Sequence, residues 1–319
     1  MSTASDERPC PVCGSREYEP YLPERIDPKA ISEQTYASRK NPEFMRHRLV
    51  HCPACDVVYT PRPPASGYLE EQYAQAAYGS GEEARCAAQT YARILGPYLG
   101  GMPDFGLAVE VGAGNGAFLR HLRDAGFAQV TGIEPSDSAI NAAASDVRPM
   151  LRRGVFSAEW LQGRAPALVC SFMTLEHLPS PREFVGAASA ALAPGGRIAL
   201  VVHDRRAWLN RALGQRSPII DIEHLQLFSR RSVQALLEGA GFVDVSIKAF
   251  SNSYPPSYWL RLTPLPVCLK NAAGRLIKRM GLEKIRVTLP VGNIFVTGRK
   301  IGREVEHETE DQRERQPVQ

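Results

Sequence analysis

Short apolar runs alternate along much of this chain with segments whose apolar positions recur every three or four residues. Leu107, Ala108, Val109 and Val111 form one strand-like run, and Phe118, Leu119, Leu122 and Ala125 follow at helical spacing. The same pattern predicts strands at Gln129–Ile133, weakly at Pro149–Leu151, then at Ala167–Phe172, Arg197–Val202, Phe242–Phe250 and Val291–Lys300. Helices are expected over 181–192 and after Ser229, where Val233, Leu236, Leu237 and Ala240 make a stripe that Gly241 stops. Such alternation implies an α/β fold, a mostly parallel sheet covered on both faces. Upstream, residues 65–100 read as helical. Tyr68, Leu69, Tyr73 and Tyr78 are unevenly spaced packing positions there, and Thr90–Leu99 is a clearer amphipathic helix.

Composition adds limits. The 319 residues are 44% hydrophobic and 23% charged with a net charge of +4, the balance of an ordinary soluble protein with no bias toward nucleic acid. No apolar run approaches the roughly 20 residues that span a bilayer. The start, MSTASDERPC, lacks the apolar core of a secretory signal, so a cytoplasmic location is expected. In that compartment seven cysteines do not imply disulfides. Four of them form two pairs, Cys10-Pro-Val-Cys13 and Cys52-Pro-Ala-Cys55. A two-residue gap lets a tight turn aim both thiolates at one metal, and two such turns complete a closed tetrahedral S4 site suited to structural Zn2+. His51 reads as a flanking residue, and Pro20, Pro23, Pro28 and Pro42 punctuate an insertion between the pairs. These features divide the chain into a zinc ribbon (1–62), a helical connector (63–103), a nucleotide-binding domain (104–302) and a charged, aromatic-free tail (303–319) expected to be disordered. Within the third part, 251–290 is an insertion in which Lys270, Arg275, Lys278, Arg279, Lys284 and Arg286 face one acid, Glu283, beside Trp259, Leu260, Leu262, Leu276 and Ile277. It reads as a substrate-side cap, with peripheral membrane or lipid-linked contact as the sharper alternative.

The chemistry centres on Gly112, Gly114 and Gly116, between the first strand and its helix. Glycines free the backbone to turn and let a ligand reach the N–H groups at a helix start. The loop fits both G-x-G-x-x-G/A, a dinucleotide fingerprint, and G-x-G-x-G. Glu134, ending the next strand, is placed to accept both ribose hydroxyls of either adenosine cofactor. Glu110, a charge inside the preceding strand, needs a polar partner. An NAD-type oxidoreductase would also need a pair such as Tyr-x-x-x-Lys near the fifth strand, and none is present there.

The run Ser171-Phe-Met-Thr-Leu-Glu-His-Leu-Pro after the fourth strand and Pro194-Gly-Gly before the fifth decide between the cofactors. With the glycine loop and Glu134, they resemble the class I S-adenosylmethionine (SAM) methyltransferases over about residues 104–250 plus the last strand. That resemblance implies a Rossmann-like seven-stranded sheet whose last strand runs antiparallel between strands five and six. It also implies that Glu110, Gly112, Gly114, Gly116 and Glu134 hold SAM, with Phe156 or Ser157 beside the adenine. With the cysteine pairs, the chain is similar to the zinc-ribbon methyltransferases that include sugar C-methyltransferases. Those carry Tyr-His-Glu-His after strand five, where this chain has Asp221-Ile222-Glu223-His224. A base near neutral pKa suits methyl transfer to oxygen or acidic carbon. The candidates are His224 with Glu223 as its orienter, and His177, while His203 and Asp204 are placed to face substrate. The expected acceptor is a small molecule or glycan, such as a sugar nucleotide or lipid-linked saccharide. The alternatives are the oxidoreductase, or a non-catalytic ribbon protein that binds a partner.

Overall fold

A strand buried on both faces reads as an unbroken apolar run, and residues 197–203 show why. Ile198, Leu200 and Val202 pack into one core with Val233 and Leu237, while Ala199 and Val201 pack on the opposite side with Leu119 and Tyr91. The computed structural model describes residues 7–38, 40, 42–263 and 265–301. The expected tail at 303–319 lies outside them.

The N-terminal part holds β1 (Glu19–Leu22), β2 (Leu49–His51) and β3 (Val58–Tyr59), followed by the helices α1 (Ser66–Gln75) and α2 (Gly81–Leu99). Next come β4 (Leu107–Val111), α3 (Ala117–Asp124), β5 (Gln129–Glu134), α4 (Asp137–Asn141), β6 (Leu151–Arg153) and β7 (Leu168–Phe172). They continue through α5 (Pro181–Ala191), β8 (Arg197–His203), α6 (Trp208–Leu213), β9 (Gln226–Leu227) and α7 (Arg230–Glu238). The last elements are β10 (Phe242–Tyr254), α8 (Pro256–Leu262), α9 (Val267–Arg279) and β11 (Val287–Lys300). Seven strands form the main sheet in the order β10-β11-β8-β7-β4-β5-β6, and only β11 runs antiparallel to its neighbours. This is the sheet the resemblance implies.

Several boundaries move for physical reasons. The third strand starts at Leu151 rather than Pro149, because Pro149 lies in a 3-10 turn and has no N–H for a ladder. The closing hairpin runs further than its apolar core, pairing Asn252 with Leu289 and Tyr254 with Val287, so the 251–290 insertion narrows to two helices on a strand extension. Ser229 caps α7 in a capping box with Ser232, and the helix ends at Gly239 before Gly241 turns left-handed.

The largest departure is β9. It pairs with β3, completing a second sheet in the order β1-β2-β3-β9. Cys10, Val12, Cys52 and Cys55 share one buried cluster with Val202, Val233 and Leu237, so the cysteine-bearing segment is built onto one face of the main sheet.

Gly132 sets the depth at which the glycine loop sits. A Cβ there would meet Ala113 Cβ at 2.7 Å, Leu119 Cδ1 at 2.8 Å and Leu151 Cδ2 at 2.9 Å. Gly132→Ala is expected to destabilise the protein by about 1–3 kcal/mol through overpacking. Gly186→Ala, inside α5 with nothing near its missing Cβ, should stabilise it by about 0.5–1 kcal/mol. Denaturant midpoints of the two variants check this; equal shifts would refute it.

Candidate active site

The glycine loop leaves the C-terminal end of β4, where open α/β sheets bind ligands. Gly112, Gly114 and Gly116 all have positive φ, of 78°, 55° and 70°. The surroundings give them different jobs. A Cβ on Gly112 would fall 2.1 Å from Thr174 Oγ1 and one on Gly116 2.4 Å from Val147 Cγ1, whereas Gly114 has open space. Two glycines thus allow packing and the middle one faces a cavity. Glu134 ends β5 with its carboxylate accepting from Gly114 N–H (2.7 Å) and Ser136 N–H (2.9 Å). Burial pushes its pKa up, against those two bonds. The cavity, about 810 Å³, is lined by Glu110, Gly112, Gly114, Glu134 and Phe156 among others. It lies in the upper part of the roughly 300–1,000 Å³ range of small-molecule sites. Phe156 is held edge-on by Phe184 at 4.9 Å. Ser157 is not among the lining residues; it caps a 3-10 turn by accepting from Glu159 N–H. The loop, the open side of Gly114 and the Glu134 carboxylate fit the methionine and ribose parts of SAM.

The opposite wall brings the candidate bases together. His177 follows β7 on a turn that begins at Thr174, the residue against Gly112, with His177 N–H donating to the Thr174 carbonyl at 2.9 Å. The His177 and His224 rings are 4.8 Å apart, and those of His224 and His203 5.5 Å. His224 Nδ1 lies 2.8 Å from the Ile219 carbonyl. Only an N–H can make that bond, so Nε2 is left as the acceptor. Burial lowers the His224 pKa to about 4, with His177 adding to the effect and Asp221 opposing it. Burial likewise lowers His177 to about 4 and His203 to about 3. The imidazoles are neutral at physiological pH. Glu223 is 3.7 Å from His177 Nδ1 and does not reach His224 Nδ1, which the Ile219 carbonyl occupies. Burial pushes the Glu223 pKa up; Lys40 opposes this, and Asp221, Glu43 and Glu176 add to it. Asp204 turns away from the cavity, taking Arg206 N–H at 2.9 Å and facing Arg230.

Residues to which the sequence assigns no part in the chemistry complete this wall. Tyr73, expected as packing, places its hydroxyl 3.1 Å from His177 Nδ1 and lines the cavity. Lys40 pairs with Asp221 at 2.8 Å. Glu176 accepts from His203 N–H at 2.7 Å, and Asn293 Oδ1 accepts from His203 Nδ1 at 2.8 Å. The polar stretch around Lys40 carries no periodicity that could flag it.

The cysteine pairs form two matching turns. Gly14 N–H donates to the Cys10 carbonyl and Asp56 N–H to the Cys52 carbonyl, with Gly14 and Asp56 both left-handed. The sulfurs of Cys10 and Cys55 are 3.5 Å apart and those of Cys13 and Cys52 3.6 Å, and all four lie within 4.8 Å of one another. Ligands at about 2.3 Å from a tetrahedral centre are about 3.8 Å apart, so the donor set fits zinc. His51 is not a fifth candidate; its Nε2 is 3.0 Å from Asp56 Oδ1. Asp56 also binds Arg205 and Arg206, just beyond β8. Burial alone would raise the Asp56 pKa, but Arg206, Ser229, His51 and Arg205 hold it well below the carboxylate range.

The same segment clamps the histidine loops. Gln226, fully buried in β9, donates its side-chain amide to the carbonyls of Leu175 (2.7 Å) and Leu178 (2.9 Å) and lies 3.0 Å from that of Glu176. Arg8 donates to the carbonyls of Thr60, Pro179 and Leu225. Gln226→Ala removes the amide donor from the carbonyls of Leu175 and Leu178, while that of Glu176 keeps Leu225 N–H. It is expected to cost about 1–3 kcal/mol, read as a lower urea midpoint, and to loosen the His177 turn. An unchanged midpoint would exclude this role.

A family model described as a methyltransferase domain matches residues 84–247. Over 109 residues the chain is 32% identical to a ubiquinone biosynthesis O-methyltransferase of Idiomarina loihiensis, a match covering 32% of this chain and 44% of that protein. The chain thus spans less than half the length of that curated relative. Among solved structures it is similar to a SAM-dependent methyltransferase of Thermotoga maritima described as a possible histamine N-methyltransferase (18% identity, TM-score 0.45, 68% of this chain and 90% of that one). It is also similar to a SAM-dependent methyltransferase of Archaeoglobus fulgidus (16% identity, TM-score 0.46, 74% and 100%). The family match runs from α2 into β10, takes in the glycine loop and both histidine loops, and covers just over half of the 319 residues. The protein belongs to the methyltransferase-domain family.

Proposed function

We propose that this enzyme methylates a hydroxyl or an acidic carbon of a hydroxyl-rich acceptor, of the kind presented by a sugar nucleotide or lipid-linked saccharide. The observation that carries this reading is the neutral His224, with Nδ1 committed to a carbonyl and Nε2 open on the same cavity as the glycine loop. SAM supplies an activated methyl group on a positively charged sulfur. The chain's own task is to align an acceptor in line with that methyl, exclude water and remove one proton. In that transfer the acceptor proton would pass to His224 Nε2. The wall around it supports a hydroxylated acceptor: Asn252, Asn293, Asp221 and His203 offer donors and acceptors beside apolar Leu209 and Ile219. His177, oriented by Tyr73, shapes this side of the cavity. The O-methyltransferase relative is consistent with oxygen as the accepting atom. We further infer that Cys10, Cys13, Cys52 and Cys55 hold one structural zinc, which would lock the two turns that carry Asp56 and face Arg8.

Methyl uptake from labelled SAM, screened across sugar nucleotides, lipid-linked glycans and simple phenols, tests the acceptor class; transfer to phenols alone would refute it. With an active acceptor, His224→Asn is expected to lower kcat by about 10²–10⁴-fold while SAM affinity in calorimetry stays the same. A base works when deprotonated, and burial, with His177 and Lys40 adding to it and Asp221 and the Ile219 carbonyl opposing, moves the His224 pKa to about 4. Activity should therefore persist as pH falls through the ordinary histidine range near 6.5 and decline only near 4. A midpoint near 6.5 would remove His224 as the base. Protein purified without chelators should contain one equivalent of zinc, and Cys52→Ser should lose both the metal and several degrees of Tm. Full stability without metal would refute the zinc assignment.

A further inference from the structure

We propose that the outward face of the α8–α9 hairpin docks on an anionic lipid bilayer, which goes beyond the catalytic reading above. The observation is an amphipathic helix with its apolar stripe turned to water. In α9, Leu269 and Leu276 are 53% and 56% exposed, and Met280 just past its end is 60% exposed. At 100° per residue these three lie within about 40° of one another. The inward face lies to one side of the stripe: Lys270, Ala273, Gly274 and Ile277, about 40–140° round the helix from Leu269, are partly buried, and Lys270 Nζ donates to the Arg261 carbonyl at 2.7 Å. The stripe therefore does not seal the protein's own core. Leu265, Ile285 and Leu289 extend the exposed apolar surface across the loops at each end.

Charge identifies what covers it. Arg275, Lys278 and Arg279 occupy the rest of the exposed face of α9, about 80–180° from Leu269 on the side away from the inward face, and Lys284 follows beside Ile285. Among the described residues these four make no ion pair, whereas Arg286 is held by Glu82 at 2.8 Å. Exposed aliphatic side chains beside unpaired cations match a surface with acyl chains beneath anionic headgroups. A nucleic acid would give the cations phosphates but leave the leucines without a partner. Trp208, 69% exposed on α6, is a further exposed aromatic on the segment that packs against β11, where Gly292 meets Ala207 and Asn210. The same region contributes Trp259, Leu260 and Leu262 of α8 and Leu289 of β11 to the cavity wall. Docking would thus set the cavity beside the bilayer surface, where an acceptor with a lipid tail could enter without crossing water.

The test is cosedimentation of the full chain with vesicles of phosphatidylcholine, with and without phosphatidylglycerol. Binding is expected only with phosphatidylglycerol present, and high salt should release it. Leu269→Glu/Leu276→Glu and Lys278→Glu/Arg279→Glu, both on exposed positions, should each lower the bound fraction about tenfold with circular dichroism and SAM affinity unchanged. Absence of binding by the native protein, or variants that bind as it does, would overturn the proposal. So would light scattering showing a dimer that Leu269→Glu/Leu276→Glu converts to monomer without vesicle binding, because the stripe would then be a self-association surface. SAM affinity is read separately, so failure here leaves the methyltransferase reading standing.

Discussion

Two loops without regular structure carry the histidines, and loops in a dry cavity need donors for their carbonyls. In this protein those donors come mainly from outside the loops. Gln226 spans the 175–178 turn, and Arg8 binds across Thr60, Pro179 and Leu225. Both belong to the cysteine-bearing sheet, one by sequence and one by pairing as β9. The cysteine-bearing sheet is therefore the scaffold of the histidine wall, although none of its four cysteines faces the cavity. The Asp56 ion pairs reinforce the arrangement by holding the start of the segment that leads from β8 towards Asp221 and His224.

Burial gives this wall its proton chemistry. Three imidazoles within stacking distance could not all carry charge, and desolvation keeps them neutral. The carboxylates Glu223 and Glu176 are moved the other way, Glu176 to about 7. Acids and bases are thereby brought closer in proton affinity than free side chains would be, which suits a site that must pass one proton and then reset. Lys40 tempers the excess of acids through Asp221.

The parts of this architecture that repeat a local rule were legible in the sequence. The doubly buried strands are apolar runs, α7 has a stripe and a cap, and the three glycines sit where the backbone needs positive φ. The cysteine pairs were visible because their spacing is itself the geometry. Other elements depend on partners far along the chain. β9 is two residues long and begins with a glutamine, so nothing in its composition marks a strand; β3 makes it one. Tyr73 and Lys40 lie in segments without periodicity and acquire their roles only when the fold brings them to His177 and Asp221. Ser157 was assigned from its position after the third strand, but a serine before a turn satisfies its own neighbour's N–H first. Asp56 had a trace that comparison of the two turns could have exposed: it stands where the first has Gly14, and a non-glycine there calls for compensating contacts.

The pairing of β3 with β9 joins residues 58–59 to 226–227. During synthesis, the cysteines and the first three strands leave the ribosome well before the strand that completes their sheet. At about 5–20 residues per second, the gap is on the order of 10–30 s. Throughout that interval β3 presents an open edge, the kind of surface that pairs with a stranger if left long enough. Early capture of a metal by the two turns would hold that edge in shape while the rest of the chain is made.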